Sequence, residues 1–442
     1  MKIAIIGGGL AGLTCAWYLQ QAGVAYDLFE ADDRPGGNLL SLRPPEGYLL
    51  EAGPNSLQLS PELADLFDEL GLADQVRDTA AVGQRRYVLR GGRYRELPSS
   101  PPALLTSGFF SLQAKWRLLR EMLIPAAVPD PDETVAQFFT RRFGPEIVEY
   151  AVNPFVAGIY AGDPAQLLLR HTFPQLAALE QQHGSVLRGL AKTGKGTGRR
   201  RVVTLQNGVQ ALTDALAAHL THYHPGAPVA DLVRAADGAY ALRVAGAEQE
   251  GPYTHLVLAL PAYAAAPLLA GLFPQASAAL AAVHYPPMAV VYSAYDRAAV
   301  AHPLRGFGAL HPKVEGTYAA GSLWTSSLYP DRVPAGQVLF TTFVGGVQHE
   351  AAAHQPEAAQ LAAVHAELAR FYGIDALPRW QGRYFWGRSI PQFDAAIGPA
   401  RASVDALRAD NIVAVANWQA GVGVPDVVRH ARRTAQALAV GA

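Results

Sequence analysis

Gly7, Gly9 and Gly12 fall in the spacing GxGxxG, and Glu30 follows eighteen residues after the last of them. Glycine at the first position permits a tight turn. At the second it lets the backbone approach a pyrophosphate, and at the third it lets a helix pack close against a strand. A carboxylate at position 30 can accept hydrogen bonds from both ribose hydroxyls of an adenosine and would repel a 2′-phosphate. These four residues point to the holding of a dinucleotide. The same glycines could also turn the chain in some other strand-helix-strand unit, so the elements around them decide.

Ile3 to Ile6 is an unbroken apolar run bounded by glycine, which predicts a parallel strand buried on both faces. A helix is expected from about Ala11 to Gln21, with its N-terminal N–H groups and positive dipole end aimed at the pyrophosphate. Tyr26 to Phe29 reads as the second strand, with Glu30 at its C-terminal end. The strand-turn-helix-strand-acid context is complete.

The segment after Glu30 reads Glu-x3-Arg-x-Gly-Gly through Arg34, Gly36 and Gly37. It resembles the second fingerprint of flavoproteins of the amine oxidase and protoporphyrinogen oxidase type, and this resemblance implies FAD rather than NAD. Asn38 stands where many relatives carry a basic or large residue. Leu50 to Ser56, with Gly53, Pro54, Asn55 and Ser56, is by itself an ordinary turn in which Glu51 and Ser56 offer polar atoms. It looks like the family segment Glu-x-Gly-Pro-x-Ser that lies along the flavin ring. Near the C-terminus, Ile412 to Ala416 reads as a buried strand, followed by Asn417-Trp-Gln-Ala-Gly-Val-Gly-Val-Pro and a helix to about Val440. A helix N-terminus bracketed by Gly421, Gly423 and Val424 suits the pyrimidine end of a flavin, where negative charge gathers on reduction. The resemblance further implies an adenine contact near Ala230 and a strand through Trp386 that leads back toward the flavin.

Asn153 to Pro164, with Gly158-Ile-Tyr-Ala-Gly-Asp-Pro, is similar to the signature of protoporphyrinogen and coproporphyrinogen oxidases, and the agreement continues through Leu169-Arg-His-Thr-Phe-Pro. In that family the glycine at the Gly158 position exposes its carbonyl to the pyrrole N–H groups. Ala157 stands where some relatives place an arginine. Arg86 to Pro98 reads as a hairpin around Gly91 and Gly92. Its arginine density suits a solvated face as well as an anion site, and the resemblance makes Arg86 the partner of a substrate propionate. It also places Leu310, Leu323 and Phe343 around the tetrapyrrole. On residue type alone these three would be sheet core. A large apolar ring does need apolar faces and charge only at its carboxylate edge.

The chain has 442 residues, half of them apolar, and a formal net charge of -1. That length predicts more than one domain, and that charge gives no global attraction to nucleic acid. Cys15, the single cysteine, excludes a disulfide framework or a thiolate metal site, and no metal is expected. Met1 runs almost directly into the first strand, which leaves no room for a signal peptide, and a cytoplasmic location is expected. Pro101 to Pro129 mixes leucines, Phe109, Phe110 and Trp116 with few charges. That pattern suits a membrane interface or, as its commoner fate, a buried helical face, and the resemblance, which implies a membrane-associated helical domain here, brings the two readings near parity. The basic, glycine-rich run Lys192 to Arg201 reads as a surface loop.

The resemblance covers nearly the whole chain. It implies an α/β fold with a Rossmann-like FAD-binding domain from 1–80, 200–265 and 395–442. A helical, membrane-associating domain at 95–195 and a β-rich substrate domain at 270–390 complete it. The implied activity is six-electron oxidation of protoporphyrinogen IX with oxygen, giving hydrogen peroxide, on a path to heme. The alternatives are coproporphyrinogen III as substrate, another flavin enzyme of the fold, and a non-catalytic flavin or porphyrin carrier. A ferrochelatase-type enzyme is the implied downstream partner, no catalytic base stands out, and the sequence does not fix the oligomeric state.

Overall fold

Ile3, Ala4 and Ile5 have no solvent exposure. Their strand, Lys2–Ile6, has a parallel neighbour on each edge and helices over both faces. Ile3 and Ile5 pack with the helices Leu10–Gln21 and Val424–Val440; Ala4 and Ile6 face the helices Ala262–Leu269 and Ile397–Ala406. The unbroken apolar run in the sequence is the mark of this two-sided burial. The computed structural model describes residues 1–98, 100–193, 201–245 and 250–441.

The parallel sheet has five strands, in the order Tyr223–His224, Ala25–Phe29, Lys2–Ile6, His255–Leu258 and Ile412–Ala414. It is assembled from widely separated parts of the chain, and its C-terminal edge presents the glycine turn, Glu30 and Ala259 together. A three-stranded antiparallel sheet, Val229–Arg234, Tyr240–Val244 and Glu250–Tyr253, stands beside it, with a register break between Val229 and Asp231.

A seven-stranded sheet runs Trp380–Trp386, Met288–Asp296, Gln337–Gly345, Gly321–Trp324, Gly308–Leu310, Tyr87–Arg90 and Arg93–Glu96. The hairpin 87–96 thus completes a sheet whose other strands lie two hundred residues later, through one parallel pairing of Tyr87–Arg90 with Gly308–Leu310. Residue 95, the expected start of a helical unit, lies inside the hairpin's second strand, and helices begin at Pro101. Side chains alternate across the sheet. Val291, Tyr295, Phe340 and Val344 pack under the helix Glu357–Tyr372, whereas Met288, Val290 and Tyr292 turn the other way, toward Tyr48, Leu50 and Ala161.

Between Pro101 and Thr193 the described chain is a set of short helices. Arg142, wholly buried, donates to Glu121, to Glu180 at 3.2 Å and to the carbonyls of Ile124 and Pro125. Breaking such a buried pair from one side costs about 3–5 kcal/mol. The network pins the segment that follows the helix Leu112–Arg120, and the Pro101 to Pro129 region divides by face. Phe109, Phe110 and Ala114 are buried against Val88. Leu112, Trp116 and Leu123 are 83%, 66% and 76% exposed, and with Leu119 they form one stripe. No described helix is long and apolar enough to cross a membrane. Of the basic loop, residues 194–200 lie outside the described residues.

Candidate active site

A side chain on Gly12 would put its Cβ 1.9 Å from the Gly7 carbonyl oxygen, so the helix can sit this close to the strand only with glycine there. A Cβ on Gly9 would meet no described atom within 4 Å. The turn is open on that side. Gly9 caps the helix Leu10–Gln21 without a side-chain bond, and the first turn holds no acidic residue. The N–H groups a helix leaves unpaired at its start are therefore available to an anion, which is what a pyrophosphate needs.

Glu30 stands over this turn. Its Oε2 accepts from the Gly8 N–H at 2.5 Å and its Oε1 from the Asp32 N–H at 2.9 Å. Both bonds fix the carboxylate while leaving acceptor capacity on each oxygen. The second glycine pair docks on the first, with the Gly36 N–H donating to the Gly8 carbonyl at 2.8 Å and Gly37 lying against Gly9. Arg34 donates to the carbonyls of Pro35, Gly37 and Leu39. It fastens the turn from within. Ala227 donates to the Glu30 carbonyl at 2.7 Å, which brings the next strand to the same edge, and Ala230 falls at that strand's register break.

Gly53 is held at the Asn38 carbonyl with no room for a Cβ, and the Trp386 indole N–H donates to the Ala52 carbonyl at 2.8 Å. Asn55 donates to the Gly53 carbonyl, and Ser56, half-buried, follows. Glu51 does not offer its carboxylate beside the turn; it is 1% exposed, paired with Arg332 at 3.0 Å, and accepts from Ser41 and the Val209 N–H. Burial pushes its carboxyl above the usual range, against the opposing pull of Arg332. Two hydrophobic neighbours in sequence gave no sign of that buried counterion. Gly421 and Gly423 lead into the helix Val424–Val440, whose first turn carries Asp426, paired with Arg429 at 2.9 Å. Asp426 was not singled out by its sequence context, and it sets a carboxylate at the helix N-terminus.

The strand register gathers the three apolar residues on one face. Leu310 lies opposite Gly321, Gly321 opposite Phe343, and Leu323 is two residues along from Gly321. This is the face that carries Val290 and Tyr292, and the Tyr292 hydroxyl donates to the Glu51 carbonyl at 2.8 Å. Leu310, Leu323 and Phe343 are only half-buried, unlike their neighbours on the other face. The helix Asn153–Tyr160 closes one side: Leu310 Cδ2 lies 3.1 Å from where a Cβ on Gly158 would stand, and Phe155 and Ile159 remain exposed beside it. Arg86 lies two residues before Val88, the cross-strand partner of Leu310. Its guanidinium stacks over Phe307 at 5.4 Å and has no carboxylate partner among the described residues. Although the residue is open to solvent, the protein around the guanidinium pulls its pKa down by burial. An unpaired cation at the margin of an apolar face is equipped to receive a carboxylate.

A family model described as flavin containing amine oxidoreductase matches residues 10–439. The chain is 29% identical over 454 residues to protoporphyrinogen oxidase 2, chloroplastic/mitochondrial, of Arabidopsis thaliana, covering 92% of this chain and 87% of that protein. It is 27% identical over 453 residues to coproporphyrinogen III oxidase of Bacillus subtilis (strain 168), covering 96% and 95%. A crystal structure from Exiguobacterium sp. 255-15, provisionally named a protoporphyrinogen oxidase, shares the fold with a TM-score of 0.82 at 22% identity, over 100% of this chain and 99% of that one.

Proposed function

Because the chain belongs to the flavin-containing amine oxidoreductase family and is an FAD-dependent oxidoreductase, we propose that it oxidises protoporphyrinogen IX to protoporphyrin IX. Six electrons leave in three rounds, oxygen is the acceptor and hydrogen peroxide is released. The observation that supports this most is the half-buried face of Leu310, Leu323 and Phe343, with Gly158 on one side and Arg86 at its margin. It is apolar and bordered by Arg86, which has no carboxylate partner among the described residues, as a tetrapyrrole with carboxylates on its edge requires.

The residues present fit FAD: the open cradle at Gly9 and the uncapped helix start would receive the pyrophosphate, and Glu30 the ribose. When bound, the flavin supplies two-electron acceptance from the substrate and delivery to oxygen. The chain orients the ring by its apolar face and holds the carboxylate edge at Arg86. Aromatisation of the product drives the chemistry, so no protein base is assigned.

Coproporphyrinogen III is the second reading, with four propionates in place of two. One observation favours it besides the Bacillus relative. Arg95, exposed on the edge strand, is in register with Val88 and so shares the face of Arg86. Anaerobic addition of each porphyrinogen to the purified protein is the test. Bleaching of the flavin absorbance is expected, and the faster substrate identifies the physiological one; no bleaching with either overturns the proposal. The exposed stripe of Leu112, Trp116, Leu119 and Leu123 serves, in this reading, to seat the protein on a membrane surface near a source of apolar substrate.

A further inference from the structure

The helix Asn153–Tyr160 brings Gly158 to Leu310, and polar groups from distant loops hold both of its ends. At the start, Asn153 is buried; its Oδ1 accepts from the Lys313 N–H at 3.0 Å, and its Nδ2 donates to Gln348 Oε1 at 3.2 Å. At the far end a helix leaves its last carbonyls without internal partners. Gln392 Nε2 donates to the Tyr160 carbonyl, the Val347 N–H to the Ala161 carbonyl and Gln348 Nε2 to the Gly162 carbonyl, each at 2.8 Å.

Gln348 therefore meets both ends of the helix with one amide. The orientation of that amide follows from chemistry. The Gly162 carbonyl can only accept, so Nε2 must face it, and Oε1 is left for Asn153. Likewise the Lys313 N–H can only donate, which turns the Asn153 oxygen to it and leaves Nδ2 for Gln348. The loop can approach so closely because Gly346 carries no Cβ: one there would lie 2.6 Å from the Ala161 oxygen, and the φ of +71° favours glycine as well. Lys313 Nζ, 3.1 Å from Asp163 Oδ2, closes the ring of contacts. Phe155, Gly158 and Ile159, at i, i+3 and i+4, lie together on the open side of the helix that this clamp fixes.

We infer that Gln348 is a positioning residue for the ring site. It acts through the helix and not on substrate or flavin; it sets how far Gly158 stands from the Leu310 and Phe343 face. The inference rests on the ring-oxidation reading above.

Steady-state turnover of protoporphyrinogen by the FAD-loaded chain tests it, with wild type compared with Gln348→Ala, Gln348→Glu and Asn153→Ala. Gln348→Ala should raise KM roughly tenfold, as a small misplacement of a binding wall does, with kcat within about twofold and flavin content unchanged. Gln348→Glu keeps the acceptor for Asn153 and loses the donor for Gly162, so KM should rise similarly. The Asn153→Ala, Gln348→Ala double variant should lose much less than the product of the two single effects, because both break one bridge. Unaltered KM in Gln348→Ala, or full additivity, overturns the inference while leaving the reading intact if wild type turns over. If wild type does not bleach with porphyrinogen, the reading itself fails, and amide exchange decides the clamp separately. Faster exchange in Asn153→Ala confined to residues 153–162 supports it, and unchanged or uniformly faster exchange overturns it.

Discussion

A methyl group on Gly158 would stand 3.1 Å from Leu310 Cδ2, so a helix and the middle of a seven-stranded sheet meet where only backbone fits comfortably. Two residues more than a hundred and fifty positions apart thus share one wall. Gly158→Ala requires Leu310 to give by a few tenths of an ångström, and a small rise in KM for porphyrinogen is expected. Gly158→Val intrudes further and should raise KM roughly tenfold, equivalent to ~1.4 kcal/mol. Flavin content should stay constant in both; equal KM in all three proteins would place the ring elsewhere.

Glu30→Ala removes an acceptor for the ribose and also frees the Gly8 N–H. FAD retention should weaken by ~1–3 kcal/mol. Equilibrium dialysis after partial flavin removal measures it, and unchanged affinity would show that Glu30 serves only the turn.

Arg86→Ala should raise KM roughly tenfold, a loss of ~1.4 kcal/mol, with less effect on kcat, since a carboxylate contact remote from the reacting carbons is equal in ground and transition states. Arg86→Lys should recover part of the loss, because an ammonium cannot reproduce the guanidinium fork. If KM is unaltered for both porphyrinogens, the anion is met by another group, with Arg95 next to be replaced.

The exposed stripe gives a separate expectation. Flotation with anionic vesicles should carry wild type upward, and Trp116→Glu with Leu123→Glu should abolish it without changing turnover of a detergent-dispersed substrate. Wild type that stays at the bottom of the gradient would leave the stripe without a membrane role.

His171 gives a pH dependence. Its Nε2 has no hydrogen-bond partner among the described residues, and Arg401 stands 3.4 Å from Nδ1. Burial, then Arg401 and Arg170, pull its pKa down to about 4 from 6.5. Between those values the unfolded chain binds the proton and the folded chain does not, so stability falls as pH drops from 6.5 toward 4. The loss should be ~1 kcal/mol once solvent screening of a half-buried group is allowed for. The Tm gap between wild type and His171→Asn should shift against wild type across that window; parallel curves would acquit His171.

The parts of the site that were legible in sequence are those where one residue type answers a local demand. Gly12 is needed where a helix meets a strand, and the run Ile3 to Ile6 needs burial on two faces; both leave a mark within a dozen residues. Gly158, Leu310 and Phe343 could be named only through family resemblance, since nothing local separates them from sheet core. Glu51 shows why local reading fails. Its neighbours Gly53 and Pro54 suggest an exposed turn, yet its carboxylate is turned inward by Arg332, which is nearly three hundred residues away. Gln348 and Asn153 are ordinary polar residues in ordinary contexts, and only their meeting makes a clamp.

The parallel sheet takes one of its outer strands, Ile412–Ala414, from about a hundred and fifty residues beyond the strand it pairs with, His255–Leu258. During synthesis the earlier strand therefore emerges with one row of backbone N–H and C=O groups unpaired, and it waits roughly 10–30 s at ordinary elongation rates for its neighbour. An apolar strand with an open edge is a template for wrong pairing. The nascent chain thus has a window of vulnerability to aggregation that lasts until Ile412–Ala414 has emerged, and a stop ahead of Ile412 would make that window permanent.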